Sequence, residues 1–470
     1  MRTFFVVVLA KLLRHVLRLC GRGGTTLPGR VALALDPKIL MTLADPVGSV
    51  VVTGTNGKTT TASILRHALE MEKFPVIANS SGANLLPGIA TEFIAYKRFW
   101  DRGFFVQAVI ECDEEALAEV CAHLNPMIIV VTNVFSDHLD RFGSVSQALE
   151  HIRQGLNTTP DAFLCLNADD ALSVSLLDGL DRPTNVHRLF FYGMEDMQAD
   201  SVADKEPTLF CSRCQESLSF HWHTYAHLGG WFCANCGHSR PRPSVAASEV
   251  TPTARGSEIT LRIEKKVFRC SFNIPGSYNV YNALAAATVL RCQEVDARYI
   301  AEAVVMSKAG FGRMESFEIQ GIPLTLTLAK NPAGFNQVLQ YLVSLQGEVQ
   351  LALVLNDNDA DGNDISWIWE VDFEALLSAS WWRGASDAGD GAGDGALGSR
   401  ILVSGKRSWD LALRLKYAGF AASAVTFVES ELLLEQVLQQ ELPVYIVPNY
   451  SALLPLRETL TKRYGVPRAY

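Results

Sequence analysis

Short apolar runs alternate with amphipathic stretches over most of the 470-residue chain. The runs at 49–53, 108–110 and 127–131 are rich in Val and Ile, and polar residues or glycine follow each of them. Such runs are typical of strands that are buried on both faces, and amphipathic stretches such as 60–70 are typical of the helices that connect parallel strands. The pattern therefore predicts an α/β fold built on a parallel sheet.

A second α/β unit is predicted beyond 310–315, and a helical stretch at 281–289 closes the first unit. The strand candidates of the second unit are 324–328, 350–355, 400–403 and 444–447. We expect an N-terminal helix and lead-in at 1–45, a central domain at 46–312 with an insertion at 208–239, a C-terminal domain at 313–470, and a disordered acidic loop at 384–399.

The N-terminal segment predicts an amphipathic helix with a basic face. Its apolar positions Leu9, Leu12, Leu13, Val16 and Leu17 recur at helical spacing, with basic side chains between them. Such a helix either packs on the domain surface or rests loosely on an anionic membrane surface. No stretch approaches the ~18 consecutive apolar residues of a transmembrane helix.

Composition narrows the class of protein. Hydrophobic residues make up 48% of the chain and charged residues 19%, which permits a large core and excludes global disorder. The net charge of −9 argues against a general nucleic-acid binder. Ten cysteines, four of them closely spaced, indicate a reduced, cytosolic protein with one metal site and not a disulfide scaffold.

The segment Gly54–Thr60 (GTNGKTT) follows a predicted strand and opens a predicted helix. Glycines allow backbone N–H groups to turn inward around phosphate oxygens, and a helix N-terminus adds partial positive charge. The Lys58 ammonium can reach the β- and γ-phosphates of a nucleotide, and the Thr59 hydroxyl can ligate Mg²⁺. The segment therefore predicts a nucleotide-binding loop.

Two Cys-x-x-Cys pairs, Cys211/Cys214 and Cys233/Cys236, are separated by 18 residues. Two such pairs can place four thiolates around one ion, and Zn²⁺ is the metal that this ligand set favours. Four protein ligands close the coordination shell, so a structural role is expected. Three histidines lie between the pairs, and we expect them to be ordinary ribbon or surface residues and not ligands.

The loop spacing G-x-x-G-K-T resembles that of the Mur ligases and the folylpolyglutamate synthases. Five further segments resemble Mur ligase motifs in order along the chain: Ile110–Glu114, Thr132–Asp140, Asn167–Asp170, Gly276–Ala283 and Gly312–Glu315. The resemblance implies a Mur ligase central ATPase domain with a P-loop and an inserted four-cysteine zinc ribbon, followed by a smaller Rossmann-like C-terminal domain.

The same resemblance implies binding residues for ATP and Mg²⁺. The nucleotide-binding set is Thr55, Asn56, Gly57, Lys58, Thr59, Thr60, Glu111, His138, Asn279 and Arg313. Glu111 and Thr59 would hold Mg²⁺, His138 would face a second metal ion, and Arg313 would be aimed at the phosphates. The chain departs from the family at Tyr278, where the family has His, and at Thr327, where it has the Asp that binds ribose.

Within the Mur ligases, the chain resembles the MurT-type subunits of lipid II isoglutaminyl synthases. Only 48 residues precede the first strand run, which leaves no room for the usual UDP-sugar domain, and the ribbon is foreign to the standard ligases. The segment 355–369 (LNDNDADGNDISWIW) resembles a MurT signature. The resemblance covers nearly the whole chain except the acidic loop.

This resemblance implies an activity and a partner. A GatD-type glutamine amidotransferase would supply ammonia, and this chain would use ATP to convert the D-glutamate α-carboxylate of lipid II to D-isoglutamine through an acyl phosphate. The reaction belongs to peptidoglycan synthesis at the inner face of the bacterial plasma membrane. The candidates for an acidic residue lent to the glutaminase are Asp357, Asp361 and Asp364, of which Asp357 is favoured because it follows a strand run.

Two alternatives are open at this point. A stand-alone amino-acid-adding ligase of the Mur or folylpolyglutamate synthase type would need no glutaminase, but the ribbon and the 355–369 segment argue against it. A nucleotide-controlled zinc-ribbon binding module would need no ligase chemistry, but Glu111, His138 and Arg313 beside Lys58 argue against it.

Overall fold

The structure is a computed structural model, and it divides the chain into two compact units. The described residues are 2–20, 24–79, 82–97, 106–135, 145–181, 185–195, 208–253, 256–308, 310, 312–358, 361, 364–382 and 401–467. The first unit comprises the described residues up to 135, those within 144–274, and 278–308. The second comprises 275–277 and the described residues from 309 onward.

A nine-stranded sheet forms the centre of the first unit. Its strands are β1 (Val47–Thr53), β2 (Val76–Ala78), β3 (Val106–Glu111), β4 (Ile128–Val131), β5 (Phe163–Asn167), β6 (Leu189–Met194), β9 (Val245–Thr253), β10 (Gly256–Ile263) and β11 (Lys266–Phe272). They lie in the order β11-β10-β9-β6-β5-β4-β1-β3-β2. Strands β1 to β6 and β9 pair in parallel, whereas β9, β10 and β11 pair antiparallel. The predicted parallel sheet is confirmed, but the sequence patterns did not predict the antiparallel extension.

Helices pack on this sheet because its central strands are apolar on both faces. They are α1 (Arg2–Leu19), α2 (Leu27–Leu35), α3 (Ile39–Ala44), α4 (Lys58–Met71), α5 (Leu86–Tyr96), α6 (Leu117–Leu124), α7 (Val145–Thr158), α8 (Ala171–Ser175), α9 (Ser277–Cys292) and α10 (Ala297–Val305). Helix α9 is buried along 279–290, where small alanine side chains permit close packing. It contains the predicted helical stretch 281–289.

Helix α1 has two different faces. Val6, Val7 and Ala10 are buried and belong to the core cluster of the first unit. Large apolar side chains cover much of the other face and are exposed: Phe4, Phe5, Val8, Leu9, Leu12, Val16 and Leu19. The predicted helix is therefore present, but its exposed face is largely apolar and not basic, because Lys11 and Arg14 are bonded to Lys97 and Glu92 within the unit. Among the described residues, no helix has the length and apolar character needed to cross a membrane.

The inserted segment forms a small hairpin of its own. Strands β7 (Ser219–Tyr225) and β8 (Leu228–Phe232) pair antiparallel and lie between the two Cys-x-x-Cys pairs. The buried Trp231 side chain packs against Ala171 and Val174 of α8 in a separate apolar cluster. The hairpin is thus packed against the main body of the first unit.

The second unit has a six-stranded sheet. Its strands are β12 (Glu315–Ile319), β13 (Ile322–Leu326), β14 (Gln350–Val354), β15 (Ile401–Ser404), β16 (Val425–Phe427) and β17 (Val444–Pro448), in the order β12-β13-β17-β14-β15-β16. Its helices are α11 (Pro332–Ser344), α12 (Ser408–Tyr417), α13 (Leu433–Leu438) and α14 (Tyr450–Tyr464). Of these strands, β12 pairs antiparallel and the others pair in parallel. The four predicted strands correspond to β13, β14, β15 and β17, and the predicted loop 384–399 lies outside the described residues.

Candidate functional site

The predicted nucleotide loop connects the end of β1 to the start of α4. Gly54 and Gly57 adopt φ angles of 112° and 89°, which side chains rarely tolerate. A Cβ atom on Gly57 would lie 2.0 Å from Asn282 Oδ1 of α9. Glycine at this position therefore serves both the turn and the close approach of α9 to the loop.

Backbone and side-chain hydrogen bonds join this loop to the end of β4. The Thr55 N–H donates to the Asn133 carbonyl oxygen at 2.9 Å, and the Asn56 N–H donates to Asn133 Oδ1 at 2.9 Å. The Thr55 hydroxyl accepts from the Phe135 N–H at 3.0 Å. Because β1 and β4 are parallel neighbours, their carboxyl ends meet at one edge of the sheet and hold the loop there.

Lys58 begins α4 and its side chain folds back over the loop. Its ammonium donates to the Gly54 carbonyl oxygen and forms an ion pair with Glu114, with an Nζ to Oε2 distance of 3.1 Å. Lys58 is 7% exposed. Burial of an ammonium group is costly unless it is paired, so Glu114 and the loop carbonyl stabilise Lys58 in this position.

The Thr59 hydroxyl donates to Glu111 Oε2 at 2.8 Å. Glu111 ends β3, and Asn79 anchors its backbone in both directions, since Asn79 Oδ1 accepts from the Glu111 N–H and Asn79 Nδ2 donates to the Glu111 carbonyl. A hydroxyl and a carboxylate oxygen are ligands that Mg²⁺ accepts, together with phosphate oxygens and water. The Thr59 and Glu111 oxygens therefore fit the divalent cation predicted for this loop.

The other residues predicted to bind the nucleotide differ in burial and in the unit to which they belong. Asn279 is fully buried in α9 and accepts from Asn282 Nδ2 at 3.0 Å, and Thr60 is buried in α4. Arg313 belongs to the second unit and contacts the Leu328 carbonyl oxygen at 3.5 Å. His138 lies outside the described residues. The loop set from Thr55 to Thr59 thus lies together with Glu111, and Asn279 belongs to the helix that contacts Gly57.

The three aspartates proposed for the glutaminase contact have different partners. Asp357 accepts from Arg407 Nε at 2.8 Å, just beyond the end of β14. Asp361 is buried and both of its carboxylate oxygens accept from Ser451 of α14. Asp364 is exposed and accepts from the Ser366 N–H, which lowers the pKa of its carboxyl group. Asp361 and Asp364 therefore have clear local structural roles, and Asp357 lies at a strand end beside a cation.

The four cysteines of the insertion converge. The ligand atoms of Cys211, Cys214, Cys233 and Cys236 all lie within 4.8 Å of one another. The Cys211–Cys236 and Cys214–Cys233 Sγ distances are 3.6 Å and 3.5 Å. These separations are close to the ~3.8 Å expected between thiolates arranged tetrahedrally at ~2.3 Å from one ion. The cluster could hold a metal ion, and none of the three ribbon histidines belongs to it.

Sequence reasoning missed several residues that support the site. Glu114 pairs with Lys58, and Asn79 anchors Glu111. Both residues follow strand ends, and that position was the available signal, because polar residues beyond parallel strands gather at one sheet edge. Their roles depend on contacts across 32 to 56 positions of sequence, which no local pattern encodes.

Comparison with known proteins identifies two family matches. Residues 52–226 match the Mur ligase middle domain, and residues 328–453 match the MurT ligase C-terminal domain. A pseudomurein peptide ligase type C from Methanothermus fervidus has a similar structure, with a TM-score of 0.63 and 21% identity, covering 91% of this chain and 81% of that one. This structural likeness supports the Mur ligase fold.

Two curated relatives match almost from end to end. The lipid II isoglutaminyl synthase (glutamine-hydrolyzing) subunit MurT of Streptococcus pneumoniae is 34% identical over 95% of this chain and 94% of that protein. The subunit of the same name from Staphylococcus aureus is 31% identical over 99% of both chains. The chain therefore belongs to the family of MurT subunits of lipid II isoglutaminyl synthase.

Proposed function

We propose that this chain is the synthetase subunit that uses ATP to amidate the D-glutamate α-carboxylate of lipid II, forming D-isoglutamine for peptidoglycan synthesis. The observation that carries the proposal is the arrangement of Lys58, Thr59 and Glu111 around a glycine-rich loop at the carboxyl edge of a parallel sheet. The nearly full-length similarity to two MurT subunits supports the same function.

The phosphoryl-transfer step of the proposed reaction needs neutralisation of negative charge. Transfer of the γ-phosphoryl group to the carboxylate gives an acyl phosphate, and ammonia then displaces phosphate to give the amide. Both reactants of the first step are anionic, so positioning and electrostatic stabilisation provide most of the catalysis. ATP with Mg²⁺ supplies the phosphoryl group, and the Mur ligase family uses both.

The chain's own residues have distinct parts in this proposal. The backbone N–H groups from Gly54 to Gly57 and the N-terminus of α4 would bind phosphate oxygens. Lys58 would exchange its bond with Glu114 for phosphate oxygens, and Thr59 with Glu111 would hold Mg²⁺. Arg313 and His138 remain candidates for phosphate and second-metal contacts through their motif positions.

The four-cysteine cluster is proposed to bind Zn²⁺ in a structural role. Four thiolates leave no open coordination position for water or substrate, which catalytic zinc sites require. The short sulfur separations support this proposal, because they are close to those of a tetrahedral site.

Ammonia is proposed to come from a GatD-type glutamine amidotransferase subunit. An aspartate from this chain would orient the glutaminase histidine and stabilise its charged form. We favour Asp357, which follows β14 and is only partly buried, since Asp361 is buried with both oxygens bonded to Ser451 and Asp364 accepts from its own turn. The ion pair with Arg407 holds the Asp357 carboxylate in a defined position.

The outer face of α1 is proposed to rest on the anionic inner surface of the plasma membrane. Phe5, Leu12 and Leu19 on this face are 66%, 60% and 74% exposed. The helix has no acidic residue, and although Arg14 is paired with Glu92 and Lys11 donates to the Lys97 carbonyl oxygen, Arg18 is exposed and its charge is complementary to anionic lipid. A membrane-bound chain would meet lipid II where its polar head group emerges.

The experiment that tests the amidation incubates the purified chain with ATP, Mg²⁺, ammonium and lipid II, followed by mass spectrometry. Conversion of a carboxylate to an amide lowers the mass by about 1 Da, and fragmentation would assign the change to D-glutamate. Amidation with ammonium but not with glutamine supports the proposal. Addition of a free amino acid instead would support the stand-alone ligase alternative.

A further inference from the structure

The cysteine-bearing segment 208–239 packs against residues that hold the nucleotide loop in place. We propose that its β7–β8 hairpin positions that loop for nucleotide binding, and that His227, in the turn of the hairpin, is the positioning residue. This inference rests on the proposed binding of ATP at Gly54–Thr59. Every contact that carries it lies within the first unit.

The first connection runs through Phe135. The His227 ring lies 4.6 Å from the Phe135 ring, and the Tyr225 ring stacks on Phe135 at 5.9 Å between centroids. Phe135 contacts the loop directly, because its N–H donates to the Thr55 hydroxyl at 3.0 Å and its carbonyl oxygen accepts from that hydroxyl at 3.3 Å. One aromatic residue therefore separates the hairpin from the loop.

The second connection runs through Asp170. His227 Nε2 donates to Asp170 Oδ1 at 3.1 Å, and the Val134 N–H donates to Asp170 Oδ2 at 2.9 Å. Asp170 and His227 are both buried. Asp170 also accepts from the Leu172 N–H at Oδ1 and from the Ser173 hydroxyl at Oδ2, so His227 is the donor that the hairpin adds to this carboxylate. Loss of the His227 donor would change how the buried carboxylate that fixes Val134 is held. Val134 immediately follows Asn133, to which the loop backbone is bonded.

A third connection reaches the loop from α9. Tyr281 donates its hydroxyl to Asp169 Oδ2 at 2.7 Å and contacts the Thr224 hydroxyl of β7 at 2.8 Å. Asn282, the next residue, is the one against which Gly57 packs. Burial raises the pKa of the Asp169 carboxyl, and Arg240, beyond β8, offsets this with an ion pair at 2.6 Å. The hairpin therefore contacts the loop's neighbours on two sides, Phe135 after β4 and Tyr281 of α9.

The cysteine cluster explains how a hairpin of two short strands can be rigid enough to position the nucleotide loop. An isolated two-stranded hairpin is marginally stable in water. Cys233 follows β8 directly, and Cys211 and Cys214 lie just before β7, so a metal ion on the four cysteines would close the base of the hairpin. The metal site then acts on nucleotide binding indirectly, by keeping His227 and Tyr225 in place.

The test uses steady-state kinetics of ammonium-dependent amidation together with nucleotide binding by calorimetry. His227→Phe keeps a ring against Phe135 but removes the donor to Asp170, and His227→Gln keeps a donor near the Nε2 position. We expect His227→Phe to raise the KM and Kd for ATP about fivefold to thirtyfold, with kcat and the KM for lipid II nearly unchanged. His227→Gln should recover part of the loss.

Three controls make the outcomes distinguishable. His221→Phe alters an exposed histidine of the same hairpin that stacks on Phe232, and it should leave the KM for ATP unchanged. Zinc content, measured by atomic absorption, should be the same in all His227 variants. Lys58→Ala should abolish ATP binding, and if it does not, the proposed loop itself is wrong.

Two results would overturn the inference while the proposed function stands. The first is an unchanged Kd for ATP in His227→Phe when Lys58→Ala no longer binds. The second is an equal rise in the KM of ATP and lipid II that His227→Gln does not reverse, because that would mean general loosening of the unit. Should His227→Phe fail to fold, the Kd for ATP of His227→Gln is compared with that of His221→Phe. A higher Kd in His227→Gln supports the inference, and an equal Kd overturns it.

Discussion

Lys58 and Glu114 form an ion pair of 3.1 Å in which both side chains are largely shielded from water. The ammonium group is therefore held by a carboxylate and by the Gly54 carbonyl oxygen. A phosphate entering the loop would offer Lys58 a stronger partner at nearly the same place, since charge-assisted bonds to phosphate are strong. The pair thus holds the Lys58 side chain over the loop at which we propose that the nucleotide binds.

We expect Lys58→Met to reduce amidation by about 10²-fold or more, because it removes the cation that neutralises charge developing between phosphate and carboxylate. The measurement is ammonium-dependent amidation of lipid II. Assembly with the glutaminase, followed by size-exclusion chromatography, should be unchanged. Lys38→Met provides a control at a lysine outside the loop. Normal amidation by Lys58→Met would disprove the assignment of the phosphate site.

Local patterns in the sequence indicated the residues of the candidate site because these residues follow strand ends. Glu111 ends β3, and Lys58 and Thr59 begin the helix that follows β1 after a four-residue loop, and parallel strands bring such ends together. The spacing of the two cysteine pairs likewise predicted that the four thiol groups lie together, as they do. The boundaries of β13 and β14 also lay close to the predicted runs.

Contacts distant in sequence could not be predicted in this way. His227 was expected to be an ordinary ribbon or surface residue, yet it is buried against Asp170, 57 positions away. The antiparallel strands β10 and β11 have mixed polar and apolar residues because they lie at the edge of the sheet, and no long apolar run marks them. The exposed apolar face of α1 likewise depends on which neighbours pack against it.

Thr59→Val should raise the Mg²⁺ concentration that the reaction requires. Removal of the hydroxyl takes away a proposed metal ligand and the donor to Glu111, so the Mg²⁺ concentration for half-maximal activity should rise about tenfold. Thr59→Ser retains the hydroxyl and should resemble the parent. An unchanged Mg²⁺ titration for Thr59→Val would mean that Mg²⁺ is held by other residues.

Asp357→Asn should separate the two sources of ammonia. In the complex with the glutaminase, we expect glutamine-dependent amidation to fall about 10²-fold or more, because an amide cannot stabilise a charged histidine. Amidation with ammonium should persist. Asp410→Asn is the matched control, since Asp410 lies 3.7 Å from the same Arg407. If Asp364→Asn produced this separation and Asp357→Asn did not, Asp364 would be the residue lent to the glutaminase.

Cys236→Ser should remove the metal and lower the stability of the chain. Cys236 is exposed, so replacement of sulfur by oxygen leaves no buried cavity and the effect reports on ligation. We expect the zinc content to fall from about one ion per chain to none, and the thermal midpoint to fall by several degrees, about the effect of losing a structural site. Cys20→Ser, which changes an exposed cysteine of the N-terminal region, should alter neither quantity. A retained zinc ion in Cys236→Ser would exclude the four-cysteine site.

The outer face of α1 can be tested with vesicles of stated composition. We expect the parent chain to co-sediment with vesicles containing phosphatidylglycerol more than with vesicles of phosphatidylcholine alone, and high salt should weaken this binding because the basic residues are screened. Replacement of Phe5 and Leu12 by serine removes two exposed apolar side chains and should weaken binding about tenfold or more. Leu413→Ser, at an exposed leucine of α12, should bind as the parent does. Equal binding by the parent and the double variant would show that α1 does not hold the chain at the membrane.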